Sequence, residues 1–404
     1  MYIWGTELCE LANAPPAKFC AYPVHLHYSS LVEARIAVVA CGLTFNVALT
    51  EDGELYSWGY GAVGQLGLAY TTVQPRPCKI TENIPAGTRF KDVCAGEHHV
   101  LALTDSNELY AWGANDMGQL GTGDFIPLNR PTRVLRDEKF KSISARSDHS
   151  VALNEQGQCF VWGSEWMGQA EDSKFGAICS PRRVSEELTF SWVCAGADCT
   201  FCGTKRNKIY SWGNGSHGKL GHGDIKSQLF PTLINFFTKQ NIRVVKMAVG
   251  DAHALLLCSN GEIWSWGGNA YGEAGQDCTN RQLQPKRVVI SREAPTFFVD
   301  IAAGCRFSVA LSDQGECFTC GSADNGVLGN GGSETSVLSL TPIKFDGFAK
   351  RVFAGKKPYC RSRIRKSSDL PVTLLNLCRQ RSFSLDDRPP TSSYAPRPKK
   401  CYAA

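Results

Sequence analysis

No apolar run in this 404-residue chain approaches the roughly 18 residues that a membrane-spanning helix needs, so no transmembrane segment is expected. The N-terminus, MYIWGTELCE, lacks both a basic start and an apolar core, which argues against a secretory signal and for a cytoplasmic setting. A phosphate loop is missing as well. The recurring Gly-x-x-Gly turns carry no Lys-Ser/Thr pair and open no helix. The histidines His99, His149 and His253, which share one register, belong to separate repeats, with no serine nucleophile or metal-ligand spacing attached. No catalytic residue, cofactor or metal is therefore expected, and the chain does not read as an enzyme.

The 18 cysteines suggest a disulfide scaffold or a metal protein, but their placement argues against both. Cys41, Cys94 and Cys194 stand at apolar positions just before Ala or Gly. The C-x-x-C pairs Cys199/Cys202 and Cys317/Cys320 fall on segments read as strand, where residues i and i+3 point to opposite faces. No second C-x-x-C lies at zinc-ribbon spacing. Reduced, structural cysteines are the expectation.

What is present is repetition. SWGYGAVGQLG at Ser57 returns as AWGANDMGQLG at Ala111, VWGSEWMGQAE at Val161, SWGNGSHGKLG at Ser211 and SWGGNAYGEAG at Ser265, with a worn copy, TCGSADNGVLG, at Thr319. The tryptophans Trp4, Trp58, Trp112, Trp162, Trp212 and Trp266, with Cys320 in the seventh place, are separated by 54, 54, 50, 50, 54 and 54 residues. Sixteen residues before a Trp position stands Gly42, Gly96, Gly196, Gly250 or Gly304, replaced in the third repeat by Arg146. A proline follows each Trp at 19 residues, from Pro23 to Pro285, and Pro342 is displaced by three. The length variation thus falls between proline and glycine, as it should when packed strands are joined by tolerant loops.

Each unit reads as four short strands. In the second repeat these are Phe90–Ala95, His99–Thr104, 108–112 and 131–135, the last polar and outermost because proline is tolerated on a sheet edge. Asp52-Gly53, Gln156-Gly157, Asn260-Gly261 and Gln314-Gly315 mark hairpin turns. The pattern predicts an all-β fold: a seven-bladed β-propeller with four-stranded blades and a Trp wedged between neighbours. The chain begins at a third strand (YIWG) and its last unit stops after RVFAG, so the N-terminal strands are expected to close the last blade. After Gly355 the chain reads KKPYCRSRIRK, so that blade is expected to lack its second strand, as an alternative or truncated product would. The expected organisation is a propeller over 1–355 and a basic, Ser/Pro-rich, disordered tail over 356–404. From Lys350 onward there are 14 Lys/Arg against 3 Asp/Glu, a net of +11, which leaves −6 for residues 1–349.

Trp-Gly-x5-Gly-Gln-Leu-Gly, preceded by Ala-Gly-x2-His-x-x-Ala-Leu-Thr, resembles the regulator of chromosome condensation repeat, whose fold is a seven-bladed propeller. The likeness covers Tyr2 to Gly355. Within that family, SHGKLGHGDIKSQLFPT (Ser216–Thr232) and KFCAYPVHL (Lys18–Leu26) resemble the propeller of the retinitis pigmentosa GTPase regulator. The founding member exchanges guanine nucleotide on the small GTPase Ran and docks on chromatin, while many relatives are binding platforms. The resemblance implies a monomeric, non-catalytic scaffold that binds protein partners on a loop face, in small-GTPase-linked or ciliary transport. It adds the cilium or centrosome and the nucleus to the cytoplasm as settings. The alternatives are an exchange factor for a Ran-like GTPase and a chromatin or anionic-surface adaptor acting through the tail.

In the exchange factor, the loop after each landmark glycine presents acidic and histidine residues to the GTPase. Asp148 matches the Asp of the family's Asp-His motif and His98 the first His of its His-His motif, in a different order around the ring. Glu97, His98, Asp148, Asp198, Asp251 and Arg306 are the partner-binding candidates. His99, His149 and His253 share a register with Phe45, Cys199 and Phe307, which marks a packed inter-blade position. Spacings from Trp112 and Trp162 to the next proline leave no room for the exchange factor's wedge. In the tail, Arg361, Arg363, Arg365 and Lys366 form the densest basic patch, suited to phosphate contacts with nucleic acid or anionic lipid. Further along the tail, RQRSFS (Arg379–Ser384) could accept phosphate, which would reduce the local positive charge.

Overall fold

The computed structural model describes residues 2–6, 19–25, 35–164, 176–240, 242–290, 295–331, 335–355 and 373–376. An all-β propeller forms. Its blades are antiparallel four-stranded sheets spanning 36–79, 90–134, 140–183, 192–233, 244–287 and 298–342, called the first to sixth blades here. In each, consecutive strands pair in chain order from the innermost to the outermost. The second blade is built from Phe90–Ala95, His99–Thr104, Leu109–Gly113 and Leu128–Val134. The last starts three residues earlier than its polar sequence suggests.

The expectation of seven blades is corrected to six. Among the described residues, six sheets consist of four consecutive repeat strands. The chain ends share a hybrid sheet, as the mid-unit start at Tyr2 suggests, in which Tyr2–Thr6 pairs with Phe19–His25 on one side and with Thr373–Asn376 on the other. Thr373–Asn376 pairs in turn with Arg351–Ala354. The physical reason lies in the sequence after Gly355. KKPYCRSRIRK carries too many charges for a buried second strand, so no consecutive seventh unit can form. The apolar segment TLLN takes that place from within the stretch read as tail.

The six tryptophans are fully buried, at 1% exposure or less. Their indole N–H groups explain why the Trp and the Gly-Gln-Leu-Gly turn recur together. Trp112 Nε1 donates to the Gln65 carbonyl of the preceding blade at 3.0 Å, Trp162 to Gln119 at 2.9 Å and Trp266 to Lys219 at 2.8 Å. In the worn copy, the Cys320 thiol reaches the equivalent Glu273 carbonyl at 3.8 Å. Trp4 donates to Val327 at 2.8 Å, so the first tryptophan locks onto the last blade by the same contact. The carbonyls that this register offers Trp58 and Trp212 belong to Leu11 and Gln169, outside the described residues.

The glycines after Trp58, Trp112, Trp162, Trp212, Trp266 and Cys320 have φ between +101° and +112°. A Cβ there would lie 2.2–2.6 Å from a carbonyl oxygen of the loop between the first two strands, such as His98 O or Asp148 O. Only glycine accepts both conditions. The following backbone N–H then bonds that same carbonyl, as from Ala114 to His98 at 2.9 Å and from Asn214 to Asp198 at 2.9 Å. The loops between strands one and two and between strands three and four are thereby gathered on one face.

Candidate functional site on the loop face

The landmark glycine and the residue three positions on form a second inter-blade device. A Cβ on Gly96 would lie 2.2 Å from His99 Cε1, and one on Gly250 would lie 2.3 Å from His253 Cε1. These rings fold back over the glycine and reach the next blade. His99 Nε2 lies 2.8 Å from Ser150 Oγ, and His253 Nε2 lies 2.9 Å from Ser308 Oγ. Each serine donates its proton to a backbone carbonyl, Gln119 O at 2.8 Å and Glu273 O at 2.6 Å. The Nε2 atoms must therefore carry the proton and donate, leaving Nδ1 bare. Desolvation pushes both imidazoles down to about 3, and His149 to about 4, so all three are neutral at physiological pH.

The partner across the blade boundary changes in step with the register residue. His99, His149 and His253 face Ser150, Thr200 and Ser308. Phe45 shares a core cluster with Val100, and Cys199 with Ala254. Polar meets polar and apolar meets apolar. That matching was missed in the sequence because its signal lies about 51 residues away.

The third blade departs from the pattern. Arg146 stands where the glycine should be, His149 is slightly less buried at 7%, and its bond to Thr200 lengthens to 3.4 Å. The Arg146 side chain turns over the mouth of the axial cavity, a space of about 270 Å³ enclosed by the innermost strands. It crosses to the fifth and sixth blades, where Nη2 donates to Asp251 Oδ1 at 3.0 Å and Nη1 to the Ala303 carbonyl at 3.2 Å. The other Asp251 oxygen accepts the Cys305 thiol proton at 2.9 Å. Burial, and then the Asp251 charge, push that thiol up to about 12.

Lys219 continues the chain of contacts. Its buried ammonium pairs with Asp198 Oδ1 and lies 3.4 Å from the Asp251 carbonyl, while Asp198 Oδ2 accepts Asn214 Nδ2 at 2.7 Å. Lys219 occupies the Gln place of Gly-Gln-Leu-Gly. Gln65, Gln119 and Glu273 there accept the backbone N–H two residues earlier, at 2.8–2.9 Å. Lysine and Val327 cannot accept. In those two copies the turn winds into a short 3-10 segment, and the residue two earlier, His217 or Asn325, takes a positive φ of 63° or 55°.

All six sequence candidates lie on this face, but the structure divides them. Asp198 and Asp251 are held by Lys219 and Arg146. Arg306 stacks on the Tyr271 ring at 4.8 Å and donates to Tyr271 Oη at 2.9 Å. Glu97 links neighbouring blades by backbone bonds, its carbonyl accepting Leu43 N at 2.9 Å and its N–H donating to Ser147 O at 2.8 Å. His98 and Asp148 offer their carbonyls to the strand-three loops, to Ala114 and Ser164. Arg146, Lys219, Tyr271 and Cys305 were not singled out from sequence as site residues. The break of register at Arg146 and the Gln-to-Lys change at Lys219 were the available signals. The tail patch Arg361, Arg363, Arg365 and Lys366 lies outside the described residues.

Among the described residues, no group of three or more His, Cys, Asp or Glu is arranged to hold a metal. No helix among them is long and apolar enough to cross a membrane.

This geometry is that of an RCC1-like propeller. Residues 1–243 match the RCC1-like domain, and residues 244–273 and 260–311 match the regulator of chromosome condensation (RCC1) repeat. The chain belongs to this family. It is 30% identical over 301 residues to the ultraviolet-B receptor UVR8 of Arabidopsis thaliana, covering 74% of this chain and 56% of that protein. It is 31% identical over 287 residues to the human E3 ubiquitin-protein ligase HERC2, covering 71% of this chain and 5% of HERC2. The chain thus spans about half of the first relative and a small part of the second. Among solved structures, yeast RCC1 (Prp20) bound to Kap60 superposes with a TM-score of 0.78 at 22% identity, covering 92% of this chain and 87% of that one. Human WBSCR16 superposes with a TM-score of 0.77 at 20% identity, covering 93% and 99%. At these identities the likeness establishes the fold.

Proposed function

We propose that the chain is a non-catalytic interaction scaffold that binds protein partners on its loop face, in small-GTPase-linked or ciliary transport within the cytoplasm. One observation carries this reading. The ionisable groups around the axial mouth are spent on one another, Arg146 on Asp251 and Lys219 on Asp198, in an arrangement that rigidifies the loops. A rigid platform with satisfied polar groups suits recognition, because little conformational entropy is lost on binding.

A second reading is nucleotide exchange on a Ran-like GTPase. It is favoured by the fold likeness to Prp20p of Saccharomyces cerevisiae, a protein characterised for binding to Gsp1p and histones, with a TM-score of 0.77 and 23% identity over 92% of this chain. Release of fluorescent GDP from a panel of small GTPases separates the two. The scaffold reading expects release rates unchanged by the full chain, and clear acceleration at sub-stoichiometric chain would overturn it.

A further inference from the structure

The loop face is not uniform. In its third to sixth blades, charged side chains of both signs lie on the loops, and Arg146 pairs with Asp251 and Lys219 with Asp198. In the first and second blades the loops 42–44, 59–73, 96–98 and 113–127 contain no Lys or Arg; their only acidic residues are Glu97, Asp116 and Asp124. The same loops expose Val63, Tyr70, Val73, Met117, Phe125 and Ile126. Scattered apolar side chains are ordinary on a protein surface, but a cluster on neighbouring loops marks an interaction site.

The two sets of loops are joined. Ala69 N donates to Asn129 O at 2.9 Å and Asn129 Nδ2 donates back to Ala69 O at 3.0 Å, while Leu43 N donates to Glu97 O at 2.9 Å. The tip carrying Phe125 and Ile126 is held from beneath. Asn115 Nδ2 lies 3.0–3.1 Å from Thr122 Oγ1, Asp124 O and Ile126 O, and Asn115 Oδ1 accepts Leu120 N at 2.9 Å. Asp124 Oδ1 accepts from Thr122 Oγ1 at 2.6 Å and from Ile126 N at 3.1 Å. Those two bonds hold the Asp124 carboxyl below the usual range, so it stays ionised beside the apolar tip. Phe125 and Ile126 are nevertheless 47% and 63% exposed.

The fifth blade builds the same cradle from Asn269, whose Nδ2 donates to Cys278 O at 2.6 Å and whose Oδ1 accepts Ala274 N at 2.8 Å. Its tip displays Cys278, Thr279 and Asn280 instead. The repeat's own packing therefore does not require an apolar pair at the tip. A cradled aromatic-aliphatic pair next to the Asp124 carboxylate, with Asp116 and Glu97 on the same set of loops, has the form of an interface anchor.

We propose that the loops of the first and second blades, centred on Phe125 and Ile126, form the docking surface for a protein partner that presents an apolar stripe bordered by Lys or Arg. This rests on the scaffold reading and assigns the sector of the face and the chemistry of the partner. Apolar contact supplies affinity, while the acidic border steers basic partners and disfavours acidic ones.

The test uses the full chain and two fluorescein-labelled amphipathic peptides of about 20 residues, each with Leu and Phe on one helix face and either Lys or Glu on the other. Fluorescence anisotropy should show the Lys peptide binding and the Glu peptide failing to bind. F125S/I126S should weaken the Lys peptide about tenfold or more. E97Q/D116N should weaken it at low salt and converge with wild type at high salt. L229S/F230S, on the outer strand of the fourth blade, should change nothing. Absence of binding to wild type, equal binding of the Glu peptide, or indifference to F125S/I126S overturns the proposal. If binding is lost in D198N/D251N instead, the sector is wrong and the loop-face reading stands. If only L229S/F230S abolishes it, both fall.

Discussion

The second and third blades solve the same boundary problem in opposite ways. In the second, Gly96 has no side chain, His99 folds into the space, and a neutral imidazole bonds Ser150 of the next blade. In the third, Arg146 fills the glycine position, His149 makes a longer contact, and the blade gains a tie across the axis to Asp251. The difference teaches that one register position decides whether a blade holds only its neighbour or also the far side of the ring.

Acid should break this comparison most severely. His99, His149 and His253 have folded-state values depressed to about 3, 4 and 3, so their contribution is complete above the unfolded value near 6.5. It is lost progressively as pH falls from there toward the folded values, because the unfolded chain takes up protons that the folded chain refuses. Asp92, pushed up to about 6 by burial, works in the opposite sense below that pH. Three histidines against one opposing carboxyl leave a net of about two protons, a loss of roughly 2.5 kcal/mol per pH unit between pH 6 and 4.5. Urea unfolding across that range measures it, and H99F/H253F should flatten the slope by more than half.

Gly96→Ala comes next. Its Cβ would meet His99 Cε1 at 2.2 Å and the Ser147 carbonyl at 2.4 Å, so a loss of about 3 kcal/mol is expected in urea unfolding. A near-neutral result would show that the glycine is not required by this contact.

The transaxial tie is smaller. Arg146 and Asp251 are both less than one-third exposed, and a double-mutant cycle of Arg146→Ala and Asp251→Ala should give a coupling of about 1–2 kcal/mol. The exposed Lys79–Glu54 pair provides the contrast, with less than about 1 kcal/mol expected from the same cycle. Equal couplings would mean that the tie is an ordinary surface pair.

The smallest effect sharpens the matching rule. His99→Phe alone removes the imidazole N–H from Ser150, whereas H99F/S150V recreates the Phe45–Val100 combination of the first blade. The double variant should recover about 1 kcal/mol relative to the single one. No recovery would mean that the two sides of the boundary do not select each other.

Much of this architecture was legible because it is local or periodic. Trp-Gly, the landmark glycine and the following proline recur at rigid separations, and each marks a place where backbone meets backbone. The sharing of one sheet by the two chain ends was legible from the mid-unit start at Tyr2, but that sheet was counted as a seventh blade, whereas six sheets among the described residues are built from four consecutive repeat strands. On the loop face, the positions of the six candidates were legible and their partners were not. Asp251 looks like an open acidic group until Arg146, 105 residues earlier, reaches it across the cavity.

By itself the sequence determined the strand pattern, the wedged indoles and the glycines, because strand periodicity, steric exclusion and the need to pair buried backbone act over a few residues and repeat with the chain. Only the tertiary structure decided which segment fills the second place of the closing sheet, which charges neutralise one another and which apolar side chains stay in water. Those outcomes depend on distances across a closed ring, where residues far apart in the chain become neighbours and the low-dielectric interior makes each pairing strong.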